Sequence, residues 1–240
     1  MKPVLFVRCD RVDTFGLAPS AVEDAGAEVR VWEAIDGVEA PALDEIGGLV
    51  VFGSTYNVEH ADEAPFIKLV RDVTREAMDR GIPVLGSCFG AQLLAWSLDA
   101  EVTKSPVREV GFEPIHLTPS GSSDPLVGHW HDGDHGFQWH MDTFELPAGS
   151  ELLATGDLVT NQAFRIGERT WGIQWHFEID AAEAELWLEE FSEAGGDIAR
   201  DWGKTNEQVR DEAARFMATH ERQGRETFAA FVEQVRAADR

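Results

Sequence analysis

Segment 84–92, with the sequence VLGSCFGAQ, constrains the fold of this chain more than any other stretch. It opens with a short apolar run typical of a buried strand, and a new apolar helical stretch begins after Gly90. Cys88 therefore lies where a strand turns sharply into a helix. Such a turn brings the chain on either side of the thiol close together, and Gly86 and Gly90 remove the side chains that would collide.

Cys88 has two interpretations at this position. At the first turn of a helix, free backbone N–H groups and the positive end of the dipole favour a thiolate, the form that attacks carbonyl carbons. Alternatively, Cys88 is a small apolar residue at a strand end. The chain has one further cysteine, Cys9. Two cysteines predict no disulfide framework, which is typical of a reducing compartment.

Strand and helix patterns alternate in the first hundred residues. The strand patterns cover 3–9, 28–32 and 46–53, and the helix patterns cover 19–26 and 65–80. This alternation predicts an α/β fold, with a mostly parallel central sheet flanked by helices on both faces. The later short strands predict antiparallel edge strands and one or two returning strands, at 101–102, 107–117, 136–139, 151–155, 163–166 and 171–175.

The C-terminal part has helical patterns. Residues 183–193 are amphipathic, and two further helices are predicted around Val209–Met217 and Phe228–Val235. We therefore expect a catalytic region at 1–195 and a C-terminal helical extension at 196–240 that packs on it. Tryptophans outside the motifs are interpreted as packing anchors: Trp32, Trp96, Trp187 and Trp202.

The charge balance excludes one class of partner. The chain has 44 acidic and 20 basic residues, a net charge of −24, so it repels phosphate backbones and nucleic acid is not expected. No stretch approaches membrane-spanning length, and the apolar run in Met1–Arg8 is too short for a secretory signal. We expect a cytoplasmic protein with no membrane partner and no cofactor.

A base for the thiol is predicted in segment 172–178, GIQWHFE. If this segment ends a strand, His176 and Glu178 point to the same face. The carboxylate can then bond one imidazole nitrogen while the other faces Cys88, the arrangement that nucleophilic catalysis requires. The alternative is a hydrogen-bonded histidine among aromatic residues.

Together these segments resemble a known family over residues from about 1 to 195. Segment 86–92 resembles the nucleophile motif of the class I, triad-type glutamine amidotransferases, and 174–178 is similar to that family's Gln-x-His-Pro-Glu segment. The resemblance implies a flavodoxin-like fold in which Cys88 attacks the side-chain amide of glutamine. His176 would carry the proton to the leaving ammonia, and Glu178 would orient His176. Phe177 departs from the pattern because it replaces the proline.

Two more segments support the resemblance. Segment 52–58 is similar to the family's Gly-Gly-Pro loop, which implies an oxyanion hole from Gly53 or Ser54 together with Phe89, although Ser54 stands where a second glycine is common. Segment 138–147 resembles the loop that holds the glutamine α-amino and carboxylate groups in the branch related to the amidotransferase domain of GMP synthase. It implies a glutamine pocket made of Gln92, Trp139, His140 and Met141.

A glutamine amidotransferase is the predicted function, and two other functions are alternatives to it. The sequence has no P-loop signature, and the part after Glu178 is too short for an ammonia-accepting synthetase module. A glutamine amidotransferase would therefore work with a separate synthetase or acceptor subunit. A stand-alone γ-glutamyl peptidase or hydrolase would act on a γ-glutamyl compound alone, and a non-catalytic binding or regulatory protein would turn nothing over. The sequence leaves the oligomeric state open.

Segment 129–135 is dense in histidine and aspartate, with His140 and Asp142 nearby. Such side chains bind transition metals. Gly133 and Gly136 indicate a flexible surface loop instead, so we predict no metal site.

Overall fold

The computed structural model describes residues 1–239. In these residues nine strands form a single sheet in the order β2-β1-β3-β4-β9-β8-β7-β5-β6. The strands are β1 (Val4–Val7), β2 (Val29–Trp32), β3 (Gly48–Val51), β4 (Val84–Ser87), β5 (Val102–Leu117), β6 (Asp134–Phe144), β7 (Glu151–Gly156), β8 (Ala163–Ile166) and β9 (Thr170–Ile173). The first five in the sheet order are parallel and the other four are antiparallel additions. The predicted fold class is confirmed, with β9 as the returning strand.

Helices cover both faces of the sheet. They are α1 (Ala18–Asp24), α2 (Phe66–Asp79), α3 (Phe89–Ser97), α4 (Pro119–Ser122), α5 (Ala181–Glu193), α6 (Ile198–Trp202) and α7 (Asn206–Ala238). The predicted strands at 101–102 and 107–117 are one strand, β5, with a shift in its pairing to β6 between Lys104 and Glu109. No helix in the described part is long and apolar enough to cross a membrane.

The central strands are buried on both faces. Successive residues of β1 alternate between two cores, since Val4 and Phe6 join the side covered by α1 and α7, whereas Leu5 and Val7 join the side covered by α2 and α3. A third cluster lies between β5, β6 and helices α5 to α7. The parallel strands therefore need continuous apolar runs, which is the pattern that identified them.

The C-terminal region contains one long helix where the sequence pattern predicted two. Residues 219–227 are mostly polar, which is why the apolar pattern breaks there. In the structure α7 continues because His220, Gln223 and Thr227 are buried and hydrogen-bonded, as buried polar side chains must be. The division of the chain at residue 195 stays a prediction.

Truncation of Phe228 tests whether α7 is part of the main core. Its ring is fully buried and lies 6.3 Å from Phe6 in β1 and 5.1 Å from Phe177, between ring centroids. Phe228→Ala should lower the free energy of unfolding by about 3–5 kcal/mol, measured by chemical denaturation. The half-exposed Val107→Ala should change it by about 0.5 kcal/mol or less. An equally small effect of Phe228→Ala would contradict a shared core.

Candidate active site

Cys88 has a strained backbone at the turn between β4 and α3. Its φ of 49° and ψ of −106° lie in a region that residues with a side chain rarely adopt. A Cβ atom on Gly86 would lie 2.4 Å from the carbonyl carbon of Gly90, and a Cβ on Gly90 would lie 2.0 Å from the carbonyl oxygen of Val51. The predicted elbow, with glycine required on each side, is confirmed.

His176 and Glu178 meet in a turn that follows the last strand. β9 ends at Ile173, so the predicted strand to residue 175, and the shared face deduced from it, are wrong. Beyond β9, the His176 amide donates to the carbonyl oxygen of Phe137 in β6, at 2.8 Å. The turn still places His176 Nδ1 2.7 Å from Glu178 Oε1, with both side chains buried.

The imidazole of His176 is surrounded by negative charge. Burial by itself lowers the pKa of His176. The charges of Cys88 and Glu178, and their hydrogen bonds to the ring, outweigh burial and raise that pKa well above 6.5. Since Nδ1 bonds Glu178, Nε2 is the nitrogen left for Cys88. A protonated ring beside the sulfur is the kind of neighbour that stabilises a thiolate.

Two residues that the sequence interpretation missed bond to these side chains. Ser87 Oγ donates to Glu178 Oε2 at 2.7 Å, so both carboxylate oxygens are bonded. Gln174 Nε2 donates to Cys88 Sγ at 3.6 Å, and Gln174 Oε1 accepts from Gln92 Nε2 at 3.3 Å. Ser87 and Gln174 stand beside motif residues in the sequence, but nothing in the pattern indicates where their side chains point.

Helix α7 holds the turn that carries His176. His220 Nε2 donates to the backbone carbonyl oxygen of His176 at 2.9 Å. Burial lowers the pKa of His220 to about 4, so its ring is neutral and donates through one nitrogen. One helical turn later, a Cβ on Gly224 would lie 2.1 Å from the carbonyl oxygen of Phe177. The Phe177 side chain packs on Phe228, which explains how this position accepts a large ring.

The three predicted oxyanion residues line the same cavity as the thiol. A Cβ on Gly53 would lie 2.8 Å from Cε1 of His176, so only glycine lets the ring approach. The Ser54 hydroxyl donates to the carbonyl oxygen of Cys9 at 2.8 Å and so fixes the loop. Phe89 supplies the first amide of α3, which has no acceptor inside the helix. Their role as donors to an oxyanion stays a prediction.

The predicted glutamine-pocket residues also line this cavity: Gln92, Trp139, His140 and Met141. The Trp139 carbonyl oxygen lies 3.9 Å from Cys88 Sγ. Both ring nitrogens of His140 face protein groups and not the open cavity. Nδ1 lies 2.9 Å from the carbonyl oxygen of Asp142, and Nε2 lies 2.8 Å from Glu109 Oε2 without hydrogen-bond geometry. A polar contact to substrate at His140 would therefore come from its backbone.

The cavity has a volume of about 440 Å³, within the range of small-molecule sites. Asp13, which the sequence interpretation missed, lines it and is buried. Burial, followed by the charge of Glu178, raises the pKa of Asp13 to about 8. This carboxyl therefore keeps its proton at neutral pH. It lies in the loop between β1 and α1, where no sequence pattern distinguishes it from a solvated aspartate.

The histidines of segment 129–135 and their neighbours do not converge. His129 Nε2 lies 3.0 Å from the carbonyl oxygen of Gln223, and His131 Nδ1 lies 3.3 Å from Asp134 Oδ2. His140 faces Glu109 instead. Within residues 1–239, no three His, Cys, Asp or Glu side chains form a group that could hold a metal ion.

Comparison with known protein families assigns the chain to one of them. The family model for Glutamine amidotransferase class-I matches residues 18–192. The chain therefore belongs to the class I glutamine amidotransferase family, as the resemblance of its motifs predicted.

Individual relatives agree with this membership. The chain is 29% identical over 187 residues to the glutamine amidotransferase-like protein YfeJ of Salmonella typhimurium, covering 76% of this chain and 78% of that protein. It is 35% identical over 163 residues to the glutamine-hydrolyzing GMP synthase of Porphyromonas gingivalis, covering 67% of this chain. That match spans 30% of the length of the GMP synthase.

Solved structures share the whole fold. A glutamine amidotransferase from Methylobacillus flagellatus superposes with a TM-score of 0.86 at 25% identity and covers 98% of this chain and 95% of its own. A glutamine amidotransferase from Thermotoga maritima gives a TM-score of 0.82 at 22% identity, with 98% of each chain covered. The C-terminal helices are therefore part of the shared architecture.

The raised pKa of Asp13 predicts a specific dependence of stability on pH. Between the usual carboxyl pKa of 3.8 and about 8, the folded protein keeps a proton that the unfolded chain has lost, so stability falls as pH rises. Removing this carboxyl abolishes that contribution. The free energy of unfolding of Asp13→Asn relative to wild type should therefore rise by about 2–3 kcal/mol between about pH 5 and pH 7.

Denaturant unfolding at several pH values measures this difference. The exposed Asp44→Asn serves as the control, and its offset from wild type should be the same at every pH. An Asp13→Asn offset that is also constant would contradict the assigned protonation of Asp13.

Proposed function

We propose that this protein hydrolyses the γ-carboxamide of glutamine through a thioester on Cys88, with His176 as proton carrier and Glu178 as its orienting group. One observation carries the proposal: His176 Nδ1 is bonded to Glu178 Oε1 at 2.7 Å, and the negative charges of Cys88 and Glu178 beside the ring raise the pKa of His176. The strained elbow presents that thiol to the cavity. Membership of the glutamine amidotransferase family supports glutamine as the substrate.

In the acylation step, the Cys88 thiolate attacks the side-chain carbonyl carbon of glutamine. A carbon–sulfur bond forms and the carbonyl π electrons move to oxygen, where amide groups of Gly53 or Ser54 and of Phe89 would stabilise the oxyanion. The imidazolium of His176 then gives its proton to the amide nitrogen. The carbon–nitrogen bond breaks, and ammonia leaves behind a γ-glutamyl thioester and a neutral imidazole.

Deacylation uses the same residues in reverse. Neutral His176 takes a proton from water, and the hydroxide attacks the thioester carbonyl carbon. The carbon–sulfur bond breaks, which restores the Cys88 thiolate and the imidazolium. Glutamine and water have then become glutamate and ammonia. Glu178 holds the ring in position in both steps and accepts no proton.

The ammonia acceptor is a separate part of the proposal. The relatives include glutamine-hydrolyzing GMP synthases, of which this chain resembles less than half. We propose that a separate synthetase or acceptor subunit receives the ammonia, by analogy with the remainder of those proteins.

Variants of the three residues test the reaction. With glutamine as substrate and released ammonia as the measurement, Cys88→Ala should abolish turnover because no thioester forms. His176→Ala should lower kcat/KM by about 10²–10⁴-fold. Glu178→Gln should lower it less, since an orienting group contributes less than the proton carrier.

The exposed His131→Ala is the matched histidine control and should keep the wild-type rate. Turnover by Cys88→Ala equal to that of wild type would contradict the proposal. A larger loss in Glu178→Gln than in His176→Ala would show that the roles of these two residues are assigned wrongly.

A further inference from the structure

One side of the cavity is an aromatic wall, made of Trp139, Trp187, Phe191 and Trp202. The ring of Trp139 lies 6.1 Å from Trp187, 5.8 Å from Phe191 and 6.0 Å from Trp202, between centroids. All four residues are half-buried and line the cavity that contains Cys88. The wall is therefore partly open to whatever occupies the cavity. Trp139 is also one of the predicted glutamine-pocket residues, whereas Trp187, Phe191 and Trp202 have no role in the glutamine chemistry proposed above.

The aromatic wall adjoins the proton carrier. Trp187 stands edge-on against His176, with ring centroids 4.8 Å apart and the planes at 81°. In the proposed reaction His176 gives its proton to the leaving nitrogen, so that nitrogen must lie beside the His176 ring. A group attached to the leaving nitrogen can therefore reach the wall through Trp187.

The aromatic character of this side of the cavity exceeds the needs of ammonia. Ammonia is similar in size to water, which occupies about 30 Å³ in the liquid, whereas the wall presents the rings of four aromatic residues to the cavity. An apolar substituent on the leaving nitrogen would be removed from water by the rings of the wall, which is favourable. Ammonia makes no use of such a surface.

The charge of the cavity restricts the substituent further. Of the residues that the structure describes, no lysine or arginine lines it. Asp10 and Glu190 also line it, and Glu190 is exposed beside Phe191. A carboxylate on the leaving group would therefore meet the like charge of Asp10 and Glu190 with no lysine or arginine beside it. A neutral or cationic group would not.

We propose that the aromatic wall is a leaving-group subsite for γ-glutamyl amides whose nitrogen bears an apolar, non-anionic substituent, most favourably an aromatic one. This inference rests on the proposed thioester chemistry. The amine R–NH₂ takes the place of ammonia: the carbon–nitrogen bond breaks, the nitrogen accepts the proton of His176, and water later releases glutamate from Cys88. The protein would then act on such conjugates without an acceptor subunit.

Matched substrates test the subsite. γ-Glutamyl-benzylamide and γ-glutamyl-methylamide have chemically similar leaving amines and differ in the phenyl ring, and γ-glutamyl-phenylalanine adds a carboxylate to the benzyl group. Glutamine is the fourth substrate. The kcat/KM for the benzylamide should exceed that for the methylamide by about tenfold or more. The phenylalanine conjugate should be slower than the benzylamide.

Variants at Trp202 assign the preference to the wall. Trp202→Ala should lower the benzylamide-to-methylamide ratio of kcat/KM by about tenfold, and Trp202→Phe should retain most of it. Trp96 stacks on Arg71 at 3.9 Å outside the cavity, and Trp96→Ala should leave the ratio unchanged. Because the readout is a ratio between two substrates, partial loss of folded protein does not alter it.

Three outcomes would overturn the inference in distinguishable ways. Turnover of glutamine and the methylamide with a slower benzylamide would exclude the leaving-group subsite while the proposed function stands. A ratio unaffected by Trp202→Ala would also exclude it, and is the result expected if the wall receives a partner subunit instead. No acyl-enzyme and no product from any of the four substrates would overturn the proposed function together with the subsite.

Discussion

The hydrogen bond between His176 and Glu178 is the interaction on which the rest of the site depends. A turn, not a strand, carries both residues, and that turn is held from three sides. The His176 amide bonds to Phe137 in β6, the His176 carbonyl accepts from His220 in α7, and the Glu178 carbonyl accepts from the Leu17 amide at 2.9 Å. The antiparallel part of the sheet, the long C-terminal helix and the first helix all meet there.

The carboxyl groups near the imidazole differ in their hydrogen bonds and in their pKa shifts. Glu178 is bonded on both oxygens by His176 and Ser87. Burial and the charge of Glu178 raise the pKa of Asp13, so that a second negative charge does not form beside the first. Burial also raises the pKa of Glu183, although the amides of the loop between β1 and α1 lower it. Glu178 is thereby the carboxylate that is bonded to the ring.

Much of the fold and the elbow could be predicted from the sequence, because both depend on local patterns. Apolar runs identify buried parallel strands, and two glycines around Cys88 indicate a close approach of backbone. Contacts between residues that are far apart in the sequence leave no such local pattern. The buried polar residues of α7, such as His220, look like a solvated linker in the sequence. The partner of His220 is the backbone carbonyl group of His176, and a backbone group has no residue identity that a sequence pattern could reveal.

The same limit applies to the candidate site. The roles of Cys88 and His176 were proposed from their motifs, and Trp139 was predicted to line the pocket. Asp13 and the other three residues of the aromatic wall were not recognised as part of the cavity. A tryptophan on an amphipathic helix predicts packing, and Trp187 does pack, but its ring also reaches the cavity. Whether an aromatic face is covered by protein or by a ligand depends on the arrangement of α5 and α6, which the sequence pattern does not specify.

The central claim is that Cys88 is the nucleophile and that His176 activates it. Covalent trapping with a glutamine-like diazoketone tests this claim most directly, with intact mass and peptide mapping as the measurements. The second cysteine, Cys9, is an internal control. Cys9 is fully buried, and burial raises the pKa of its thiol. The account predicts one adduct per chain, located on Cys88, and much slower labelling in His176→Ala. Labelling of Cys9, or an unchanged rate on Cys88 without the His176 imidazole, would contradict it.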